Sequence, residues 1–274
     1  DLHRVDRRQR QMCIRDRFIS YQLLAGAADN DEPRYMLKRA LTRARWEQGA
    51  CSVFDRVLCL SAEDASHLRP WCRREPEVVF PIVDFPPDDA VSRGDAYKTL
   101  LYAGGTTRPE NHHGLSVFLR DIYPVVTNAV PGVKLVIRGE RPRAQLRAVI
   151  ARDPSITYVE PADDITADWA SATAAVVPLW AGAGIKIKIL TALAHGVPVV
   201  TTPVGVAGIP AGEEDGLTSA PTTKAFADAV IALLTDADLW RRRSRGGRAF
   251  SSRATNPAVR NAEVAELYER LARG

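Results

Sequence analysis

Apolar positions from about Thr99 onward switch repeatedly between two spacings. Short apolar runs alternate with longer stretches in which apolar residues return every three or four positions, the marks of strands and amphipathic helices in turn. Strands are predicted over Thr99–Ala103, Val133–Ile137, Ile156–Val159, Ala175–Leu179 and Val197–Thr201. Between them fall helices over Asn111–Ala129, Arg143–Arg152 and Ile165–Ala172, and one running up to His195. In the first of these Leu115, Phe118, Leu119, Ile122, Val125, Val126 and Ala129 keep the helical period, and Pro124 is expected to bend or weaken it. Further helices are predicted near Thr223–Leu234, Ala237–Phe250 and Pro257–Ala272.

Ahead of this block, Pro33–Ala50 reads as a charged amphipathic helix carrying Tyr35, Leu37, Leu41 and Trp46. Phe54–Ser61 reads as a buried strand whose Ser61, with Asp64 three residues on, resembles a capping box before another helix. Glu77–Val83 is a short strand interrupted by Pro81. Asp84–Gly94, rich in Pro and Asp, reads as a linker. The expected organisation is a segment 1–17, a partial Rossmann-like domain with its linker over 18–95, a complete one over 96–252, and a final helix over 253–274 that packs back on the first domain.

Strand and helix in strict alternation imply an α/β fold, a doubly wound parallel sheet with right-handed crossovers. Such sheets bind ligands outside the carboxyl ends of their strands. Two glycine-rich loops sit at such ends, Gly104-Gly105 and Gly182–Gly184.

The run IKIKIL at Ile185–Leu190 alternates with period two, as a strand would. The TALAHG that follows continues a helical face through Ile189, Leu190 and Leu193, and His195-Gly196 with Pro198 beyond looks like a C-cap. Helix is therefore the reading, and it places Lys186 and Lys188 at a helix start. Cations are badly placed there, because the helix dipole already makes that end positive. A bound phosphate would remove the conflict. The alternative is two solvated lysines at a frayed end.

Composition is ordinary for a globular chain of 274 residues, 46% apolar and 26% charged. No run of 18 apolar residues occurs and no signal-peptide pattern opens the chain, so a cytoplasmic protein is expected. The formal charge is +4, and residues 1–17 supply most of it through Arg4, Arg7, Arg8, Arg10, Arg15 and Arg17. The remainder is near neutral, so no nucleic-acid partner is expected. That segment has no apolar periodicity, and its RRQRQMCIRDR string resembles translated sequencing-adapter sequence. The expectation is a disordered or non-native segment on an N-terminally truncated fragment. Cys13, Cys51, Cys59 and Cys72 form no CxxC and meet no histidine cluster, so reduced structural thiols are expected and no metal site.

The loop Gly104-Gly105-Thr106-Thr107 lets backbone amides approach a diphosphate. It is neither GxGxxG nor a P-loop, and alone it is equally an ordinary tight turn. Arg138, at a strand end, is an anion-binding candidate or a surface ion-pair partner. His112 and His113 are surface residues or acceptor contacts. Arg241, Arg242, Arg243, Arg245 and Arg248 form a solvated helix face or a dock for anionic lipid.

Taken together, GIKIKILTALAHGVPVVTTPVGVAGI, LLYAGGTTRPENHHGLSVFLRDIYPVVTNAVPGVKLVIRGERP and FDRVLCLSAEDASHLR resemble the GT-B glycosyltransferases of the large family 4 group. The resemblance covers most of residues 40–272. It implies two facing Rossmann-like domains, the second holding a nucleotide diphosphate sugar as donor substrate, with no other cofactor. It puts Gly104, Gly105, Lys188 and Lys186 near the diphosphate, with Arg138 as a further anion contact. Val159 and Glu160 fall where the family holds the base, and Val204 and Gly205 fall near the sugar and phosphates. Retaining transfer in this family relies on positioning and on stabilising the departing diphosphate, so no catalytic residue is assigned. The implied acceptor is a glycan or lipid-linked hydroxyl, reached by peripheral contact with the inner membrane face.

The sequence departs from the family at three carboxylates. Two glutamates common around the lysine helix are Ala183 and Thr191 here, and an acidic residue common in the next loop is Ala207. Thr191 can still hydrogen-bond a ribose hydroxyl but carries no charge. Three readings follow: a hexosyltransferase, a catalytically inactive nucleotide-sugar-binding homologue, and another Rossmann-like enzyme such as a sugar-nucleotide epimerase, whose motifs are not found.

Overall fold

The computed structural model describes residues 45–87, 98–140 and 142–273. The segment 1–17, most of the Pro33–Ala50 helix and most of the Asp84–Gly94 linker lie outside the described residues. The chain divides into two compact units. One contains the described residues up to Pro81 with Ala181–Ile185 and Ala207–Ile209; the other contains the described residues within Ile82–Trp180, Lys186–Val206 and from Pro210 onward.

The first unit shows a helix α1 over 45–53, strand β1 (Leu58–Cys59), helix α2 (Ala62–Leu68), a 3₁₀ turn (Arg69–Trp71) and strand β2 (Glu77–Val78). β1 and β2 pair in parallel. Both are shorter than the apolar runs predicted. Ser61 caps α2 as its spacing with Asp64 suggests, its Oγ accepting from the Asp64 amide at 3.0 Å.

The second unit is a six-stranded sheet in the order β5-β4-β3-β6-β7-β8, parallel throughout. Its strands are β3 (Thr99–Ala103), β4 (Lys134–Arg138), β5 (Ile156–Val159), β6 (Ala174–Val177), β7 (Val199–Thr201) and β8 (Leu217–Ser219). The chain starts in the middle at β3, winds outward to β5, then returns to β6 beside β3 and winds the other way. That reversal is the topological switch point, and it opens a crevice beyond the ends of β3 and β6. The sheet is the doubly wound α/β arrangement expected from the alternation.

The helices are α3 (Pro109–Val117), α4 (Tyr123–Ala129), α5 (Ala144–Ile150), α6 (Thr166–Ser171), α7 (Ile187–Ala194), α8 (Thr223–Thr235), α9 (Ala237–Ala254) and α10 (Pro257–Arg273). Between α3 and α4 the backbone runs as a π-helical segment, Phe118–Ile122. Pro124 therefore does not break the helix: it sits in the first turn after that segment, where a missing N–H costs little. Leu100, Tyr102, Leu115, Phe118, Ile122, Leu135, Ile137, Val176 and Phe226 form the centre of the core and are almost wholly buried. A burial of this kind contributes roughly 1.5–3 kcal/mol per large apolar side chain.

One packing contact fixes the crevice wall. A methyl group at Gly114 of α3 would stand 1.7 Å from the Pro178 carbonyl oxygen, just past β6. Only glycine lets the helix lie this close to the strand end. Strand β8 and the 3₁₀ turn Glu213–Asp215 before it carry too few apolar residues to have been predicted.

Candidate functional site

The loop after β3 is held from several directions. The Gly104 amide donates to the Arg138 carbonyl at 2.9 Å, which continues the β3–β4 pairing one step past the strand. Asn111 Nδ2, from the first turns of α3, donates to the Gly105 carbonyl at 2.8 Å. Thr106 Oγ1 donates to the Glu140 carbonyl at 2.7 Å, and Thr107 Oγ1 donates to the Glu140 carboxylate. A side chain at Gly139 would meet the Gly104 carbonyl oxygen at 2.1 Å, so the β4 loop lies directly against the β3 loop. The result is a fixed backbone turn at the crevice.

Helix α7 begins opposite it. Lys186 is the N-cap residue, no side chain among the described residues caps the first turn, and Lys188 is the second helical residue. The Lys188 side chain is not solvated. Its Nζ is buried and has no hydrogen-bond partner among the described residues. It lies 5.2 Å from the centre of the Tyr102 ring, and a methyl group on Gly104 would stand 2.4 Å from it. Burial pushes the amine down to about 8, the nearby charges of Lys186 and Arg108 push the same way, and Glu110 opposes them.

A desolvated ammonium facing a glycine turn and a helix N-terminus is an unsatisfied arrangement. The Tyr102 ring face returns about 1–2 kcal/mol, less than a lost hydration shell. An anion in the crevice would supply what is missing: charge for Lys188 and acceptors for the amides of the first turn of α7.

The other expected contacts are placed as follows. Arg138 does not present a free guanidinium. It forms an ion pair with Asp168 at 2.6 Å and donates to the Glu160 carbonyl at 2.7 Å, with both side chains largely buried. The Val159 carbonyl accepts from the Gly139 amide at 3.3 Å, so Val159 and Glu160 are tied to the same β4 loop. The Thr191 hydroxyl donates back to the Ile187 carbonyl at 3.1 Å. Gly205 packs so closely on Thr201 that a methyl group there would meet Oγ1 at 1.8 Å. Val204 lies in the same turn, which is fixed by the Gly205 amide on the Thr202 carbonyl at 2.8 Å.

Tyr102, Asn111 and Glu140 were not singled out from the sequence. Asn111 alone left a signal, as a short amide one turn inside a helix that follows a glycine loop. Among the peripheral candidates, His112 is half-buried, and burial lowers its imidazole below the ordinary range. Of the arginine cluster on α9, Arg243 pairs with Glu213 and Glu214, Arg241 with Asp238, and Arg248 turns inward onto the carbonyls of Pro86 and Ala194. Arg242 and Arg245 stay exposed. Among the described residues no helix is long and apolar enough to cross a membrane, and no group of His, Cys, Asp or Glu is arranged to hold a metal ion.

Solved structures share this architecture. Sucrose-phosphate synthase from Thermosynechococcus elongatus superposes with a TM-score of 0.72 at 19% identity, over 92% of this chain and 66% of that one. Anabaena HepE, solved in complex with UDP-glucose, gives 0.69 at 16% identity, over 84% of this chain and 68% of its own. WaaG, a glycosyltransferase involved in lipopolysaccharide biosynthesis, gives 0.64 at 14% identity, over 84% and 67%. The chain thus spans about two thirds of the length of these structures. No curated protein matches it in sequence. Residues 97–236, the sheet with the glycine turn and Lys188, match the family described as Glycosyl transferases group 1. With more than half its length inside that match, the chain belongs to the group 1 glycosyltransferases.

Proposed function

We propose that this chain is the donor-binding half of a retaining hexosyltransferase, which moves a hexose from a nucleotide diphosphate sugar to a hydroxyl of a glycan or lipid-linked acceptor. The observation that carries it is the buried ammonium of Lys188, which faces the Gly104 turn and has no hydrogen-bond partner among the described residues. The donor diphosphate lies between the two. Lys188 and the first-turn amides of α7 take up the charge that develops on the leaving diphosphate as the glycosidic bond lengthens, the usual reward of preorganised electrostatics. Lys186 adds a second positive charge at the mouth. Gly105, fixed by Asn111, lets the backbone approach the phosphates. The nucleoside runs toward the ends of β4 and β5, where Arg138 holds the Glu160 backbone in place rather than meeting the phosphates itself. The sugar lies toward Val204 and Gly205. No cofactor or metal is assigned. The protein works in the cytoplasm, and the exposed Arg242 and Arg245 face the inner membrane surface when the acceptor is lipid-linked.

A second reading, donor binding without transfer, is favoured by one observation. Thr191 stands where the family commonly has a ribose-binding glutamate, and its hydroxyl proton is already given to Ile187.

Titration calorimetry with UDP-, GDP- and ADP-sugars separates these. Binding of one of them is expected, with affinity lowered about 10- to 100-fold in Lys188→Ala, the scale of one charge-assisted contact. If no nucleotide sugar binds, the donor reading is wrong. Binding without transfer to any glycan or lipid-linked acceptor, in a protein that also carries the acceptor-side half, selects the second reading.

A further inference from the structure

Arg138 is in register with Ala103 on one side and Val159 on the other, so the ends of β3, β4 and β5 stand in a row. Gly104, Gly139 and Glu160 are the residues that follow. Glu160 is therefore two strand spacings from the Gly104 turn, about 10 Å. That is the reach of a nucleoside from its diphosphate to its base.

The charged groups along this row are engaged, with one exception. Arg138 is paired with Asp168 at 2.6 Å, and the Glu140 carboxylate accepts from the Thr107 hydroxyl. The Glu160 carbonyl accepts from Arg138 at 2.7 Å, which turns it toward a guanidinium only 17% exposed. The Gly139 amide on the Val159 carbonyl, at 3.3 Å, ties the same segment to the β4 loop. The backbone before the loop is thus fixed and its last carbonyl is in use. The Glu160 side chain is exposed, and its carboxylate has no hydrogen bond or ion pair among the described residues. It is the acceptor left over at the end of β5.

Given the donor reading of the crevice, we propose that Glu160 reads the base of the donor and that this base is guanine. A carboxylate offers two acceptor oxygens and no donor. Guanine sets two donors side by side on its pairing edge, N1–H and the N2 amino group, and the two oxygens take both in parallel. Such paired, charge-assisted hydrogen bonds are both strong and directional. Uracil places its one N–H between two carbonyl oxygens, which a carboxylate repels. Adenine and cytosine each set an amino group beside a ring-nitrogen acceptor, giving one hydrogen bond and one repulsion. The donor is a guanosine diphosphate sugar, chosen by a side chain whose backbone is already held in place.

Titration calorimetry on the full chain with GDP, UDP, ADP, inosine diphosphate and inorganic pyrophosphate tests this. GDP should bind about 100-fold more tightly than UDP or ADP. Inosine diphosphate, which lacks only the N2 amino group, should bind about 10- to 100-fold more weakly than GDP. In Glu160→Ala those two should bind equally, with pyrophosphate affinity unchanged. Asp163→Ala removes the next exposed carboxylate of the same loop and should keep the discrimination. A preference for GDP under about tenfold, or UDP or ADP bound as tightly, overturns the guanine assignment and leaves the donor reading standing. Discrimination that survives in Glu160→Ala, or disappears in Asp163→Ala, overturns the role of Glu160. If no nucleotide and no pyrophosphate binds, the donor reading fails and the assignment with it.

Discussion

The Lys188 ammonium stands 5.2 Å from the centre of the Tyr102 ring and has no hydrogen-bond partner among the described residues. The pair couples the first strand of the sheet to the start of α7 and leaves a positive charge waiting at the switch point. Protonation of this amine is consequently the quantity most sensitive to what fills the crevice.

Affinity for a nucleotide sugar should fall as pH rises. In the folded chain the amine titrates at about 8, against 10.5 when free. The unfolded chain therefore binds the extra proton between those values, and folding stability climbs with pH through that window. Anion affinity runs the other way, since the neutral amine offers no charge. Calorimetry from pH 7 to 10 should show affinity lost above about 8, and Lys188→Met should abolish that dependence. A flat profile in the unsubstituted chain would contradict it.

Lys188→Met should also leave the empty protein more stable by about 1–3 kcal/mol at pH 7, because a buried unpaired charge is replaced by apolar volume. Urea unfolding of both proteins without ligand measures this. A less stable variant would mean that the ammonium has a partner in solution.

Asn111→Asp keeps the shape of the side chain but replaces the donor to the Gly105 carbonyl with an acceptor. The turn should loosen, and the new carboxylate should compete with the donor phosphates for Lys188. A drop of about tenfold in nucleotide-sugar affinity is expected, with the far-ultraviolet spectrum unchanged. Equal affinities would show that the Gly105 turn does not contact the donor.

Gly114→Ala should cost about 2–4 kcal/mol, since the added methyl meets a backbone carbonyl that cannot swing aside. Gly49 in α1 is the counterpart: nothing lies within 4 Å of a methyl group there, and Gly49→Ala should stabilise by about 0.5–1 kcal/mol. Denaturation midpoints of the two variants should move in opposite directions.

Arg248→Ala should destabilise by about 2–3 kcal/mol. Its guanidinium donates to the Pro86 and Ala194 carbonyls, both at 3.0 Å, and stacks 4.3 Å over Phe85. Lysine cannot reproduce this planar double contact, so Arg248→Lys should recover less than half of the loss in a thermal melt.

What could be read from the chain follows from the range of the forces involved. Strand–helix alternation is local, so the parallel doubly wound sheet and its crevice were legible from Thr99 to Thr201. The helical reading of IKIKIL held because Ile189, Leu190 and Leu193 are buried together, though the helix starts at Ile187 and leaves Lys186 as its cap. The glycine turn alone read equally as an ordinary tight turn, and only the lysine at a helix start was unusual in sequence; the fold is what sets Lys188 against Gly104. The Arg138 partner was not legible, as Asp168 lies thirty residues away and only the fold brings it near. Tyr102 looked like any other core residue of β3. Its role depends on Lys188, which arrives from another part of the chain.

The π-helical segment Phe118–Ile122 has a consequence for how this sequence can vary. It divides one long helix into two whose faces are set to different phases. Upstream, Gly114 is pinned against Pro178 beyond the interior strand β6; downstream, the Tyr123 hydroxyl reaches Ser155 Oγ at 2.8 Å, just before the edge strand β5. Inserting or deleting one residue between them would rotate the free end by about 100°, turning Tyr123 and Val126 out of the core. The stretch between Gly114 and Tyr123 can therefore exchange side chains but cannot change length.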